Sequence, residues 1–422
     1  MFKKTKLKNG IEVLLAKREQ TKAVSVLVLT RVGSRYETPK NNGISHFLEH
    51  LMFKGTQKRP TTLEISQELD SIGADYNAFT SKEITGYYIK AEKTSLYSCV
   101  DILSDMLLNS VFDKDEVGRE RGTILEEINM YEDNPMSKIG DFFEEDLFGK
   151  NEPLGMHVIG TPGNIKSITR DDMVSYWKKH YHAGNFLISV AGNFDEKEAL
   201  EILNEKFGAV SKGARNKISQ GKSPSKSFKA CAHFKKTSQA HLILGFPSFS
   251  ENDPQRYALS VLNVILGGNM SSRLFIEVRE RLGLCYFIRS SAEYFDDTGV
   301  FYIQAGLDLK KIDKALEVVS KELSDIKNNS VSQKELTKAK KFVKGKIALS
   351  HEDSLEIASF YGQQAISGKK ILTPEEVLKK IEKVSLADVK KVAKRVIQKN
   401  SARLVAISPN KDISKFAKNL NF

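Results

Sequence analysis

The residues with the clearest chemical potential stand in one short run, His46-Phe-Leu-Glu-His50. Ile44, Phe47, Leu48, Leu51 and Met52 recur around it at helical spacing and Gly55 supplies a stop, so the pattern predicts a helix over 43–54. Side chains four apart lie one above the other on a helix, so both imidazoles can face a single ion. Glu49, three residues after His46, lies near the same face and can reach a water bound there. Two imidazoles, a carboxylate and an open water position make a catalytic zinc set rather than a closed structural one. The bland alternative is a pair of ordinary polar residues on an amphipathic helix. Burying three such groups among Phe47, Leu48, Leu51 and Met52 without a partner is costly, which favours ligation.

A third ligand must come from elsewhere. A predicted helix over 113–133 carries Glu116, Glu120, Glu126, Glu127 and Glu132. Glu120 and Glu127, seven apart, fall nearly on one face, whereas Glu126 is rotated from it by about 100°. Spacing leaves two arrangements open, in which either glutamate binds the ion while the other hydrogen-bonds a ligand imidazole from behind. The order H-x-x-E-H inverts the commoner H-E-x-x-H of zinc peptidases. His157, His180, His182, His233, His241 and His351 read as surface or capping residues.

The elements that must position these groups are legible in outline. Lys3–Leu7 and Ile11–Ala16 flank Asn9-Gly10, which predicts a type I′ hairpin. Apolar runs predict strands over 23–32, 75–80, 85–91 and 186–191, and Thr61-Thr-Leu-Glu64 predicts a capping box opening a helix. The second half repeats this plan, with strands over 241–246, 286–294 and 299–307 and helices over 254–266, 272–282 and 312–327. A shift of 219 residues sets EVGRERGTILEEI (116–128) on ELTKAKKFVKGKI (335–347) and carries Val117, Ile124 and Ile128 onto Leu336, Val343 and Ile347. An internal duplication is the economical explanation. The same shift carries Glu120 onto Ala339 and Glu127 onto Lys346, so the second copy keeps the pattern and lacks the chemistry. The expected class is α+β, two homologous halves, each a mainly antiparallel sheet covered by helices. The expected division is a zinc-binding domain over 1–211, a basic linker over 212–229 with six positive charges and no acid, and a degenerate domain over 230–422.

Composition excludes several classes. The 422 residues are 40% hydrophobic and 28% charged, a globular balance, and no apolar run approaches the span of a bilayer. No signal or transit segment is visible, so the default expectation is cytoplasmic, with no membrane partner. Cys99, Cys231 and Cys285 are too few and too dispersed for a disulfide framework or a cysteine zinc site. The net charge of +12 is spread widely and carries no nucleic-acid motif, so it reads as solvated surface without a specific nucleic-acid partner.

Four segments carry a resemblance. GISHFLEHLMFKGT (43–56), NAFTSKEITGYY (77–88), ERGTILEEI (120–128) and GGNMSSRLFIEVRERLGLCYFI (267–288) are similar, in that order, to motifs of the pitrilysin family, specifically its mitochondrial processing peptidase-like branch. The resemblance implies a zinc endopeptidase with the processing peptidase-like metallohydrolase fold. It assigns His46, His50 and Glu127 to Zn2+, Glu120 to support, and Glu49 to general base catalysis. It implies that Asn77, Ala78, Phe79 and Thr80 line the peptide groove and that Arg279 and Tyr286 contact substrate. The substrate would be a peptide or unfolded protein. Because longer relatives fuse two such duplicated units, it also implies a homodimer, or a heterodimer with a related subunit. A long glycine-rich loop like that of the processing peptidase's non-catalytic subunit is missing. The rival readings are a non-catalytic scaffold or partner subunit of a heteromeric processing peptidase, another zinc hydrolase or lyase, and a basic nucleic-acid binder.

Overall fold

The chain opens on a hairpin. Strand β1 (Lys3–Lys6) pairs antiparallel with β2 (Glu12–Lys17), Lys6 facing Glu12. The turn differs from the two-residue type I′ expected. Leu7 N–H donates to Ile11 O, so the loop spans 8–10, closed by Gly10 N–H on Leu7 O with Gly10 at φ 98°. A left-handed glycine ending a three-residue loop is another standard hairpin closure. Asn9 is committed elsewhere, its Nδ2 donating to Phe207 O and Val210 O.

The computed structural model describes residues 2–219, 224, 227–410 and 413–422. Four more strands, β3 (Ala23–Thr30), β4 (Asp75–Thr80), β5 (Thr85–Glu92) and β6 (Phe186–Gly192), complete the first sheet in the order β1-β2-β6-β3-β5-β4. The second sheet, β7 (Lys229–Phe234), β8 (Gln239–Ser248), β9 (Cys285–Tyr294), β10 (Gly299–Asp308) and β11 (Arg403–Ser408), runs β7-β11-β8-β10-β9. The two share one topology. Setting β1 aside, each orders its strands first-fifth-second-fourth-third, with first and fifth parallel and the rest antiparallel.

The helices repeat as well. The first series is α1 (Ile44–Leu51), α2 (Thr62–Ser71), α3 (Leu96–Asn109), α4 (Lys114–Asp133), α5 (Pro135–Phe148), α6 (Pro162–Ser167), α7 (Arg170–His180) and α8 (Glu196–Phe207). The second is α9 (Arg256–Leu266), α10 (Ile312–Asn329), α11 (Gln333–Ser350), α12 (Ser354–Ile366), α13 (Pro374–Glu382) and α14 (Leu386–Val396). Residues expected to form a helix over 272–282 include a π-helical stretch, Phe275–Arg281. Among the described residues no helix is long and apolar enough to cross a membrane.

Two compact units form, and they are not the two linear halves expected. The first comprises Met1–Asn129, Met156–Ser219 and Ala348–Thr373; the second comprises Met130–Gly155, Gln220–Ile347 and Pro374–Phe422. Each half of the chain therefore lends a helix to the other unit. In the first, α12 sets Ile357, Ala358, Tyr361 and Ala365 against Leu14, Leu27, Leu29 and Leu187. In the second, α5 sets Ile139, Phe143 and Leu147 against Ile243, Val405 and Ile407. The physical reason is in the strands. β3 (AVSVLVLT) and β6 (FLISVAG) are apolar on both faces, so a sheet already covered by its own helices still has a second face to bury. The described part of the expected linker, 212–219, is held in the first unit. Asn216 Nδ2 donates to Arg31 O at 2.8 Å, and Arg215 Nη2 donates to Ile366 O at 2.9 Å. Most of its remainder lies outside the described residues.

The borrowed helix α5 approaches β8 so closely that Gly245 has no room for a side chain. A Cβ there would sit 2.2 Å from the Phe143 ring. Gly245→Ala is expected to destabilise the protein by roughly 1–3 kcal/mol, read as a lower urea or thermal midpoint. Gly345→Ala, at an exposed position of helix α11 with open space around it, is expected to stabilise it by about 0.5–1 kcal/mol. Equal effects at the two positions would contradict this packing.

Candidate metal centre

Helix α1 carries the site, and its start is fixed before any ion is considered. Gly43 precedes it at φ 99°, and a Cβ there would meet Ile159 O at 2.8 Å and Gly160 Cα at 2.9 Å. The buried Glu37 carboxylate caps the first turn, accepting from Gly43 N–H at 2.7 Å, Ser45 N–H at 2.8 Å and Asn42 Nδ2 at 2.9 Å. Burial pushes the Glu37 carboxyl up, and these hydrogen bonds oppose it. Ile44, Phe47, Leu48, Leu51 and Met52 are all at most 1% exposed. Each such side chain contributes about 1.5–3 kcal/mol of burial, which locks the helix's rotation. The opposite face is thereby fixed, and His46, Glu49 and His50 stand on it half-buried.

Helix α4 brings the carboxylates. Glu120 is buried, Glu127 is half-buried and Glu126 is exposed, as the seven-residue spacing requires. Glu127 Oε2 lies 3.7 Å from His46 Nε2 and 3.5 Å from His50 Nε2. The three donor atoms lie within 4.8 Å of one another, the one such histidine–carboxylate group among the described residues. Four donors tetrahedrally around zinc at its usual bond lengths stand about 3.4 Å apart. The observed separations are close to that and too long for hydrogen bonds. The residues fit a divalent metal with one position left open.

Glu120 is placed behind the ring rather than in front of it. Its Oε1 lies 2.8 Å from His50 Nδ1, and its Oε2 lies 2.7 Å from Lys54 Nζ. Nδ1–H donating to Glu120 leaves His50 Nε2 with a free lone pair toward Glu127. Burial works against the Glu120 anion, but the hydrogen bonds from His50 and Lys54 outweigh it and hold the carboxyl below its ordinary value. His50 is itself raised, the Glu120 contact outweighing burial. His46 is lowered to about 3, by burial first and by His50 second, which keeps it in the neutral, ligating form. Burial raises Glu127 and Glu49.

Glu49 has a partner that sequence reasoning assigned to another task. Thr80, expected to line the substrate groove, ends β4 with its hydroxyl donating to Glu49 Oε2 at 2.5 Å. The rest of the expected groove strand, Asn77, Ala78 and Phe79, lies on β4, the outermost strand of its sheet, and Asn77 is exposed. Lys54 and Glu37 were not anticipated. Lys54 follows His50 by four residues and so carried a positional signal, whereas nothing in the sequence marks Glu37. His180 and His182 are buried rather than on the surface, and His180 Nδ1 meets Asn216 Nδ2 at 2.9 Å.

Arg279 and Tyr286 belong to the second unit. The guanidinium sits 4.7 Å from the Phe275 ring and 5.7 Å from the Tyr286 ring. Tyr286 is 76% exposed, so it fills no core. Glu277 is taken by Arg281 at 2.6 Å, and Glu280 is 3.8 Å from Arg279.

Comparison with known proteins sets this arrangement in a family. Residues 12–162 match the profile described as Insulinase (Peptidase family M16), and residues 167–343 match the Peptidase M16 inactive domain. An uncharacterized zinc protease of Streptomyces coelicolor is 34% identical over 417 residues, covering 97% of this chain and 90% of that protein. An uncharacterized zinc protease of Bacillus subtilis is 34% identical over 410 residues, covering 97% and 99%. Among solved structures, a protease from Helicobacter pylori superposes with a TM-score of 0.90 at 23% identity, covering 97% of this chain and 99% of that one. A peptidase M16 inactive domain from Pseudomonas fluorescens gives 0.88 at 21%, covering 97% and 98%. The structural likenesses bear on the fold, and the sequence relatives bear on descent. The chain belongs to peptidase family M16, the insulinase or pitrilysin family.

Proposed function

We propose that this chain is a zinc-dependent endopeptidase that cuts peptide bonds in unfolded peptides or flexible protein segments. The observation that carries the reading is the convergence of His46 Nε2, His50 Nε2 and Glu127 Oε2 with Glu49 on the same helix face. Zinc bound there would supply Lewis acidity toward a water and the scissile carbonyl. Glu49 would take the proton from the attacking water and deliver it to the leaving amine nitrogen. Thr80, by its 2.5 Å hydrogen bond, holds one Glu49 oxygen and leaves the other for that proton. Glu120 fixes the tautomer of His50 from behind.

The substrate reading rests on β4. It pairs with β5 along one side and has no strand on the other among the described residues. An extended peptide can add there as a further strand through main-chain hydrogen bonds, which a compact folded domain cannot offer. A peptide on that edge runs past Asn77, Ala78 and Phe79 toward Thr80, the residue bonded to Glu49. In the same reading two chains form a homodimer, and the exposed Tyr286 and neighbouring Arg279 of one subunit contact the substrate held at the zinc of the other.

Metal analysis of the purified protein is expected to give one zinc per chain, lost in the His46→Ala/His50→Ala double variant. Stoichiometric zinc retained by that variant would overturn the ligand assignment. Glu49→Gln is expected to keep the zinc and lose about 10²–10⁴ in turnover of an unstructured peptide. A near wild-type rate would remove Glu49 as the base. Glu49→Gln chains mixed with Tyr286→Phe chains are expected to regain activity, because some mixed dimers contain one intact composite site. No recovery after proven subunit exchange would rule out the shared site.

A further inference from the structure

One charged contact at the centre remains without a task. Lys54 follows α1 by a single tight turn, its N–H donating to Leu51 O at 3.1 Å, and its ammonium reaches Glu120 Oε2 at 2.7 Å. Glu120 is only 5% exposed, so its carboxylate has little water to stabilise it. Both oxygens are used, one by Lys54 and one by His50 Nδ1. Removing Lys54 would leave a buried anion facing a single imidazole N–H, a poorly compensated charge that is expensive to keep in place.

The two ligand imidazoles are also unequal. His46 Nδ1 is buried and has no hydrogen-bond partner among the described residues, so packing alone orients that ring. His50 is the ring held by a hydrogen bond from behind, and the residue that holds it is in turn held by Lys54.

We infer that Lys54 is a positioning residue of the metal centre. It acts through Glu120, fixing that carboxylate in the one orientation from which it can aim His50 Nε2 at the metal. The inference rests on the zinc reading proposed above. The rival explanation is a plain staple between α1 and the helix bearing Glu120, which would affect stability and not the metal.

Zinc affinity of the full chain, measured by competition with a fluorescent chelator, separates the two. Lys54→Met is expected to bind zinc about tenfold more weakly, the scale of a lost outer partner of a ligand histidine. Lys54→Arg, which keeps the charge, is expected to recover most of that loss. In the Glu120→Gln background, Lys54→Met is expected to cost nothing further, because its route to the metal is already cut. Lys54→Gln serves if the Met variant does not fold, and the thermal midpoint of the metal-free protein reports any staple effect separately. Wild-type zinc affinity in Lys54→Met, a loss in Lys54→Arg as large as in Lys54→Met, or full additivity with Glu120→Gln would each overturn the assignment. A wild-type chain that binds no zinc would fail the metal reading itself, a result distinct from any of these.

Discussion

A carboxylate oxygen 3.7 Å from one imidazole nitrogen and 3.5 Å from another hydrogen-bonds to neither. The gap has the size of a metal ion with short bonds to nitrogen and oxygen. Much of the first unit serves to keep that gap at its width. Phe47, Leu48 and Leu51 set the rotation of the histidine helix, and Glu37 sets where it begins. Glu120 and Lys54 stand behind one ring, and Thr80 holds the neighbouring acid. The site is therefore assembled from the ends of packed elements. Its precision derives from the apolar core beneath it.

The duplicated architecture separates the fold from the site. Helices α4 and α11 occupy equivalent places in the two copies. Where Glu120 is buried in one, Ala339 is buried in the other, and where Glu127 points at two histidines, Lys346 is exposed. A buried carboxylate without charge partners destabilises a core, whereas alanine fills the same position at no such cost. Helix α9, which follows the second strand of its sheet as α1 follows its own, carries neither histidine nor acid. The topology rests on apolar strands and helix packing, while the proposed chemistry rests on a few charged side chains.

Much of this was legible in the sequence for a definite reason. The H-x-x-E-H run, the seven-residue spacing of Glu120 and Glu127, the Thr61–Glu64 capping box and the internal repeat are all periodic signals, and helices and strands obey their periods closely. The helix exchange was not legible. Nothing local in α5 or α12 records which sheet an apolar face will cover. The division into two contiguous halves missed that exchange, although the change of unit at 219/220 falls inside the expected linker, whose residues 212–219 are pinned by Asn216 and Arg215 to distant backbone carbonyls. The hairpin loop was misjudged because Asn9 was committed to a tertiary contact. Glu37 escaped because a carboxylate lying several residues ahead of a helix carries no periodic mark, and the Thr80 bond to Glu49 escaped because it joins elements remote in sequence.

The most direct measurement is X-ray absorption at the zinc edge on the purified, zinc-loaded protein. The account expects a first shell of nitrogen and oxygen only, at about 2.0–2.1 Å, with outer-shell scattering from two imidazole rings and no sulfur. A sulfur shell near 2.3 Å, or a spectrum unchanged when His50 is replaced by alanine, would contradict it.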